Sequence, residues 1–174
     1  MKREFDLAVM IDQTLEFVRN TRKKKQIRLN ASCFAPSIPI FADHDQLKQV
    51  LMNIILNAID AIDDEGEIHV EVKPDEFFEG SHFYFHEGGL KHDEVKPVKT
   101  DREQFYTITI SDNGSGIEEE RIEKLFDPFY TTKEEGTGLG LSISYGIIHR
   151  HKGSIEINNR PEGGAKVTVR IPTN

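Results

Sequence analysis

The chain has 174 residues, 37% of them hydrophobic, and its 22 lysines and arginines against 30 aspartates and glutamates leave a formal charge of −8; this suits one globular domain and argues against a nucleic-acid binder, which needs a basic face. Cys33 is the only cysteine, so an internal disulfide and a cysteine zinc cluster are excluded. With no signal-peptide core and no run of roughly 20 apolar residues, a cytoplasmic domain is expected, even if its parent is membrane-attached.

Leu7, Met10, Ile11, Leu15 and Val18 recur at helical spacing and predict an amphipathic helix. It should end near Arg22-Lys23-Lys24-Lys25, a basic run of the kind that usually marks a solvated helix end. Ile27, Leu29 and Ala31 alternate as a short strand, and Pro36 and Pro39 break the chain beyond it. Asp43 with Gln46 reads as a capping box. Leu47, Val50, Leu51, Ile54, Ile55, Ala58, Ile59 and Ile62 then mark the clearest helix, with Gly66 ending it. Ile68, Val70 and Val72 alternate as one strand, and Tyr106, Ile108 and Ile110 as another that runs into Asp112. A short helix is expected from Glu118 to Leu125, a loop over about 127–136, and a helix from Gly138-Leu139-Gly140-Leu141 to about His151. Ile155 and Ile157 face Val167, Val169 and Ile171 in a closing hairpin around Arg160-Pro161-Glu162-Gly163-Gly164. The order predicts an α/β fold, a mixed sheet covered on one face by helices. Residues 74–104 break this rhythm with an aromatic cluster of Phe77, Phe78, Phe83, Tyr84 and Phe85. A loop of that length is uncommon in a compact domain. A packed hairpin extension is the preferred reading, ahead of a docking surface.

Three features carry chemistry. Asn53, Asn57, Asp60 and Asp64 succeed one another at +4, +3 and +4 and form a polar stripe beside the apolar helix face. A solvated face would explain the aspartates; an asparagine amide oxygen there could also join the oxygen shell of Mg²⁺. Asp112 stands at a strand end before Gly114 and Gly116, glycines that permit positive φ and close approach to a ligand. Its carboxylate can accept a hydrogen bond from an exocyclic amine such as adenine's, or it can make an Asx turn. Gly136-Thr137-Gly138-Leu139-Gly140-Leu141 opens a helix whose bare backbone amides make an anion site. It is not a P-loop, and Leu141 and Ile143 fill the third-glycine positions of a dinucleotide fingerprint.

Asn53-Ile54-Ile55-Leu56-Asn57-Ala58, Asp112-Asn113-Gly114-Ser115-Gly116-Ile117, Leu125-Phe126-Asp127-Pro128-Phe129 and Gly136-Thr137-Gly138-Leu139-Gly140-Leu141 stand in the order of the N, first glycine, F and second glycine boxes. The chain closely resembles the catalytic ATP-binding domain of bacterial sensor histidine kinases, within the GHKL ATPase superfamily, over all but residues 74–104. It looks most like nitrogen-regulation and sporulation-type kinases. The resemblance implies one domain over 1–174, a two-layer α/β sandwich with ATP between helices and a mobile lid. It implies that Asp112 reads adenine, that Asn57 ligates Mg²⁺, and that Asn53 lies beside the phosphates. Lys133 would approach the β- and γ-phosphates, making it and Asn53 the catalytic candidates. Gly136 and Thr137 to Leu141 would cradle the triphosphate. Gly114, Gly116, Ile117, Phe126 and Asp60 complete the implied nucleotide site. The sequence departs from the family at Asp60, where many relatives carry a basic residue, and at Ala165, where the family has threonine.

Such kinases phosphorylate a histidine on a separate dimerisation domain, which then serves a response regulator; both are the expected partners of a monomeric catalytic half. His92-Asp93-Glu94-Val95-Lys96-Pro97 has the spacing of that acceptor, but Glu94 and Val95 are the wrong types and Gly88-Gly89 interrupts the helix required. His82, His86, Glu87, His92 and Asp93 could be weighed as a zinc site, although loop histidines are usually only exposed. The rival readings are a hydrolytic ATPase of the same superfamily, which uses glutamate where Asn53 stands, and an ATP-sensing interaction module without catalysis.

Overall fold

The computed structural model describes residues 1–21, 25–75, 83–86, 89–92, 104–133 and 136–174. In chain order the elements are β1 (Arg3–Asp6), α1 (Leu7–Thr21), β2 (Gln26–Cys33), β3 (Pro39–Ala42), α2 (His44–Ala61), β4 (Glu65–Asp75), β5 (Phe83–His86), β6 (Gly89–His92), β7 (Phe105–Asp112), α3 (Glu119–Ile122), α4 (Gly140–Arg150), β8 (Ser154–Asn159) and β9 (Ala165–Pro172). Five strands form a mixed sheet in the order β2-β4-β7-β9-β8, with β2 parallel to β4 and every other pair antiparallel. The register aligns Leu29 with Ile68, Val70 with Ile110 and Ile110 with Val167, so the apolar members of each alternating strand share one face. Asp112 is in register with Ile68 and therefore points to that same face, which explains why it is only 4% exposed.

Helices cover the apolar face. α2 buries Leu47, Val50, Leu51, Ile54, Ile55, Ala58 and Ile59, and it touches both α1 and α4. Asp43 caps it by accepting the Gln46 N–H at 3.2 Å. The reciprocal half of the capping box is absent, because the Gln46 amide bonds the Asp43 carboxylate and the Asp43 N–H donates to buried His151 Nε2 at 3.1 Å. His151 Nδ1 in turn bonds the Ile147 carbonyl at 2.8 Å, so one imidazole ties the start of α2 to the end of α4.

The structure departs from the sequence expectations at several points. Gly66 does not end α2, which stops at Ala61; it is the second residue of β4, where a Cβ would lie 2.5 Å from Asn113 Oδ1. Pro39 starts a strand rather than breaking one, and β3 pairs with β1, a strand that the periodicity does not reveal. The helix expected over Glu118–Leu125 is a single turn, Glu119–Ile122. Lys25 is not a solvated helix-end charge: its Nζ bonds the Ile59 carbonyl at 3.0 Å and also that of Ile62, closing the negative end of α2. Arg22, Lys23 and Lys24 lie outside the described residues.

Between β4 and β7 the chain forms the hairpin β5–β6. His92 ends a strand there and pairs with Phe83, which is not the long helix an acceptor histidine needs. His82, Glu87, Asp93, Phe77 and Phe78, and residues 94–97, lie outside the described residues. Among the described residues no group of histidine, cysteine and acidic side chains could hold a metal, and no helix is long and apolar enough to cross a membrane.

Candidate functional site

A cavity of about 500 Å³ opens between α2, the end of β7 and the start of α4. Its floor is Ile110, Ile157 and Val167, which strand alternation places on the helix side of the sheet. Leu56, Leu125 and Tyr130 add apolar wall. Such a cavity, with an apolar floor and polar groups around it, suits an aromatic base joined to a charged tail.

At one end stands Asp112. Its Oδ1 accepts two backbone N–H groups, Gly114 at 2.9 Å and Ala165 at 3.2 Å. The first of these is the Asx turn. It leaves Oδ2 free, since among the described residues no donor reaches that oxygen. The two glycines after Asp112 work differently. Gly116 has φ +73°, whereas Gly114 is needed because a Cβ there would lie 2.5 Å from the Ala61 carbonyl oxygen. Ala165 supplies a backbone donor to Asp112, while its side chain carries no hydroxyl.

At the other end α2 presents Asn53, Asn57 and Asp60, and the loop before α4 brings Lys133 to them. Lys133 Nζ donates to Asn57 Oδ1 at 3.0 Å and to Asp60 Oδ2 at 2.8 Å. The pair is half-exposed, at 45% and 39%, so it is a weak latch rather than a structural bond. Two hard oxygens already holding one cation are a donor set that fits Mg²⁺, which otherwise keeps waters and phosphate oxygens. Asn53 has another engagement: its amide donates to the Gly140 carbonyl at 3.0 Å and to Ser144 Oγ at 3.2 Å, fixing the first turn of α4 against α2. Leu139 caps that turn without a side-chain bond, which leaves the first N–H groups of α4 available to an anion.

The loop is pinned at its base. Phe129 N–H donates to the Gly138 carbonyl at 3.0 Å, and Gly138 has φ +66° with no room for a Cβ, which would run into the Phe129 backbone. Phe129 itself has φ +67° and is 75% exposed.

Of the residues singled out in the sequence, Asn53, Asn57, Asp60, Asp112, Gly116, Ile117, Lys133, Gly136, Thr137, Gly138, Gly140 and Leu141 line this one cavity. Gly114, Phe126 and Leu139 do not line it. Phe126 is buried beneath, its ring 5.6 Å from that of Tyr145. The floor residues were recoverable in principle from the period-two alternation, which gives their face though not their use.

The family model described as histidine kinase-, DNA gyrase B-, and HSP90-like ATPase matches residues 42–174. The signal transduction histidine-protein kinase AtoS of Escherichia coli (strain K12) is 33% identical over 172 residues, covering 99% of this chain and 24% of AtoS. A nucleotide-free catalytic domain of the histidine kinase ThkA is similar with a TM-score of 0.77 at 28% identity, over 99% of this chain and 96% of that one. ThkA in complex with the response regulator protein TrrA gives 0.73 at 26% identity, over 99% of this chain and 42% of that one. The chain thus spans about a quarter of the length of the relative AtoS.

Proposed function

The chain belongs to the histidine kinase-, DNA gyrase B- and HSP90-like ATPase family, and on that premise we propose that it binds Mg-ATP and donates the γ-phosphoryl group to a histidine on a separate dimerisation/phosphoacceptor domain. The observation that carries this reading is that one cavity brings together Asp112, Asn53, Asn57 and Lys133. Asp112 Oδ2 takes the adenine amine. The free amides of α4 meet the phosphates, and Asn53 holds those amides in place through Gly140. Asn57 offers an oxygen to Mg²⁺, which neutralises phosphate charge when bound. Lys133 moves its ammonium from Asn57 and Asp60 to the phosphates, a flexible point charge suited to following charge as it develops. As the acceptor imidazole nitrogen forms its bond to phosphorus, the bond from the γ-phosphorus to the bridging oxygen breaks and ADP leaves.

The amide of Asn53 cannot take a proton from water, which supports transfer over hydrolysis. ThkA is found in complex with a response regulator, and a regulator is the partner we propose beyond the phosphoacceptor domain, in two-component signalling on the cytoplasmic side, where ATP is supplied. Steady-state ATP turnover by the isolated domain tests the choice. It should be very slow, and turnover near an ordinary enzyme's ~10 s⁻¹ would restore the hydrolase reading.

A further inference from the structure

The hairpin between β8 and β9 closes the sheet, and its tip also grips the loop after β7. Asn159 makes a two-way clasp with the Ile117 backbone, accepting its N–H at 2.8 Å and donating to its carbonyl at 2.6 Å. Arg160 Nη1 donates to the Asp112 carbonyl at 2.7 Å, while its Nε and Nη2 hold Glu162 Oε1 at 3.2 and 2.7 Å. Gly164, at φ +82°, packs so close that a Cβ would collide with the Asp112 carbonyl oxygen. Both ends of the loop from Asp112 to Ile117 are therefore held from one hairpin tip.

Arg160 is only 21% exposed, which shields its bond to the Asp112 carbonyl from water. Its hydrogen bonds hold the Glu162 carboxyl below the ordinary value, so the pair stays charged at neutral pH and the guanidinium keeps its orientation. Arg160 does not line the nucleotide cavity. It lines a separate one of about 400 Å³ with Lys166, His69 and Ser111, on the sheet face away from the helices. Whatever it does for a nucleotide, it does through Asp112.

We propose that Arg160 and Asn159 are positioning residues for base selectivity: they fix where Asp112 Oδ2 and the Ile117 side chain stand at the base-binding end of the cavity. This rests on the reading that Asp112 recognises adenine. A carboxylate selects an amine over a carbonyl only if it is held in place, since a loop free to shift can turn the Gly114 N–H toward a guanine oxygen instead.

The test is calorimetric binding of ATP, GTP and inorganic tripolyphosphate to the full chain and to Arg160→Ala, Arg160→Lys and Asn159→Ala, at a temperature where each is folded. Arg160→Ala and Asn159→Ala should weaken ATP about three- to tenfold, narrow the ATP-to-GTP ratio and leave tripolyphosphate unchanged. Arg160→Lys keeps a donor for the carbonyl but loses the fork to Glu162, so it should recover part of the ratio. In a transfer assay the KM for ATP should rise while kcat holds. A folded Arg160→Ala with the wild-type ratio, or with equal losses for all three ligands, overturns the proposal. If Arg160→Ala does not fold, Glu162→Gln must narrow the same ratio or the proposal falls. Equal ATP and GTP affinities in the wild type would instead remove the adenine reading itself, a failure visible before any variant is made.

Discussion

Replacing Asp112 by asparagine separates recognition from folding. The amide has nearly the shape of the carboxylate, and its oxygen can still accept the N–H groups of Gly114 and Ala165, now at 2.9 and 3.2 Å. The oxygen that no N–H group holds changes from an acceptor to an NH₂ donor, which would oppose an adenine amine. A hydrogen bond to a charged group contributes about 1.5–3 kcal/mol, so ATP should weaken by about tenfold to about 150-fold. Guanine presents a carbonyl where adenine has its amine, so GTP should lose less or gain. Calorimetry with ATP and GTP at fixed Mg²⁺ reads both numbers, and thermal unfolding gives the control. Asp112→Ala should lower the Tm more than Asp112→Asn, because it strands two N–H groups at about 1–3 kcal/mol each where they stay buried. An Asp112→Asn variant that binds ATP like the wild type, or that unfolds as readily as Asp112→Ala, would rule out this division of labour between the two oxygens.

Lys133→Ala should leave the Tm nearly unchanged, since an exposed pair contributes about 0–1 kcal/mol, while transfer to an added phosphoacceptor domain falls more than ADP affinity does. Equal losses of ATP and ADP affinity, with the transfer rate intact at saturation, would make Lys133 a ground-state anchor. Gly138→Ala puts a Cβ against the Phe129 backbone at a left-handed φ of +66°; it should weaken ATP by about tenfold or more with only a modest loss of Tm, and wild-type affinity would contradict the pinned loop. Asp6 accepts N–H groups of Ala8, Val9 and Ile38 at 2.9, 3.4 and 3.1 Å. Its carboxyl is held below its ordinary 3.8 by the Ser37 hydroxyl first and the Ile38 N–H next. A lowered folded-state value means that this stabilisation is full above the unfolded value and lost as pH falls through the folded one. Urea unfolding of Asp6→Asn should therefore show a deficit at neutral pH that closes in acid, and a deficit that widens in acid would be the wrong sign.

The parts of the fold that repeat a period were legible in the sequence, and the parts that depend on a single distant partner were not. α2 and the four longest strands of the main sheet announce themselves through Leu47 to Ile59 and through Ile27 and Leu29, Ile68 and Val70, Ile108 and Ile110, and Val167 and Val169. β1 and β3 are four residues each, carry no sustained alternation, and hide behind Pro39, which is tolerated because it begins a strand at an edge. The asparagine stripe on α2 and the glycines around Asp112 and Gly138 stood out because few other roles require those residues there. Lys25 as a cap, Lys133 against Asp60, and Arg160 against the Asp112 carbonyl are contacts across 37, 73 and 48 residues. In sequence Lys25 reads as a solvated helix-end charge, Lys133 as a phosphate contact by resemblance alone, and Arg160 as a turn residue, and none of the three shows its protein partner. Phe126 illustrates the converse: it belongs to a site motif, yet its ring packs against Tyr145 below the cavity.

Phosphoryl transfer itself is decided by following the γ-phosphate. The domain is mixed with the phosphoacceptor domain of its own parent and with Mg-ATP labelled in the γ-phosphate, and label is followed on protein and in solution. Acid-labile, base-stable phosphate should accumulate on the acceptor histidine and be absent when the catalytic domain carries Asp112→Ala. Label released as inorganic phosphate while the acceptor stays bare, or ATP bound without any label moving, would contradict a transferase.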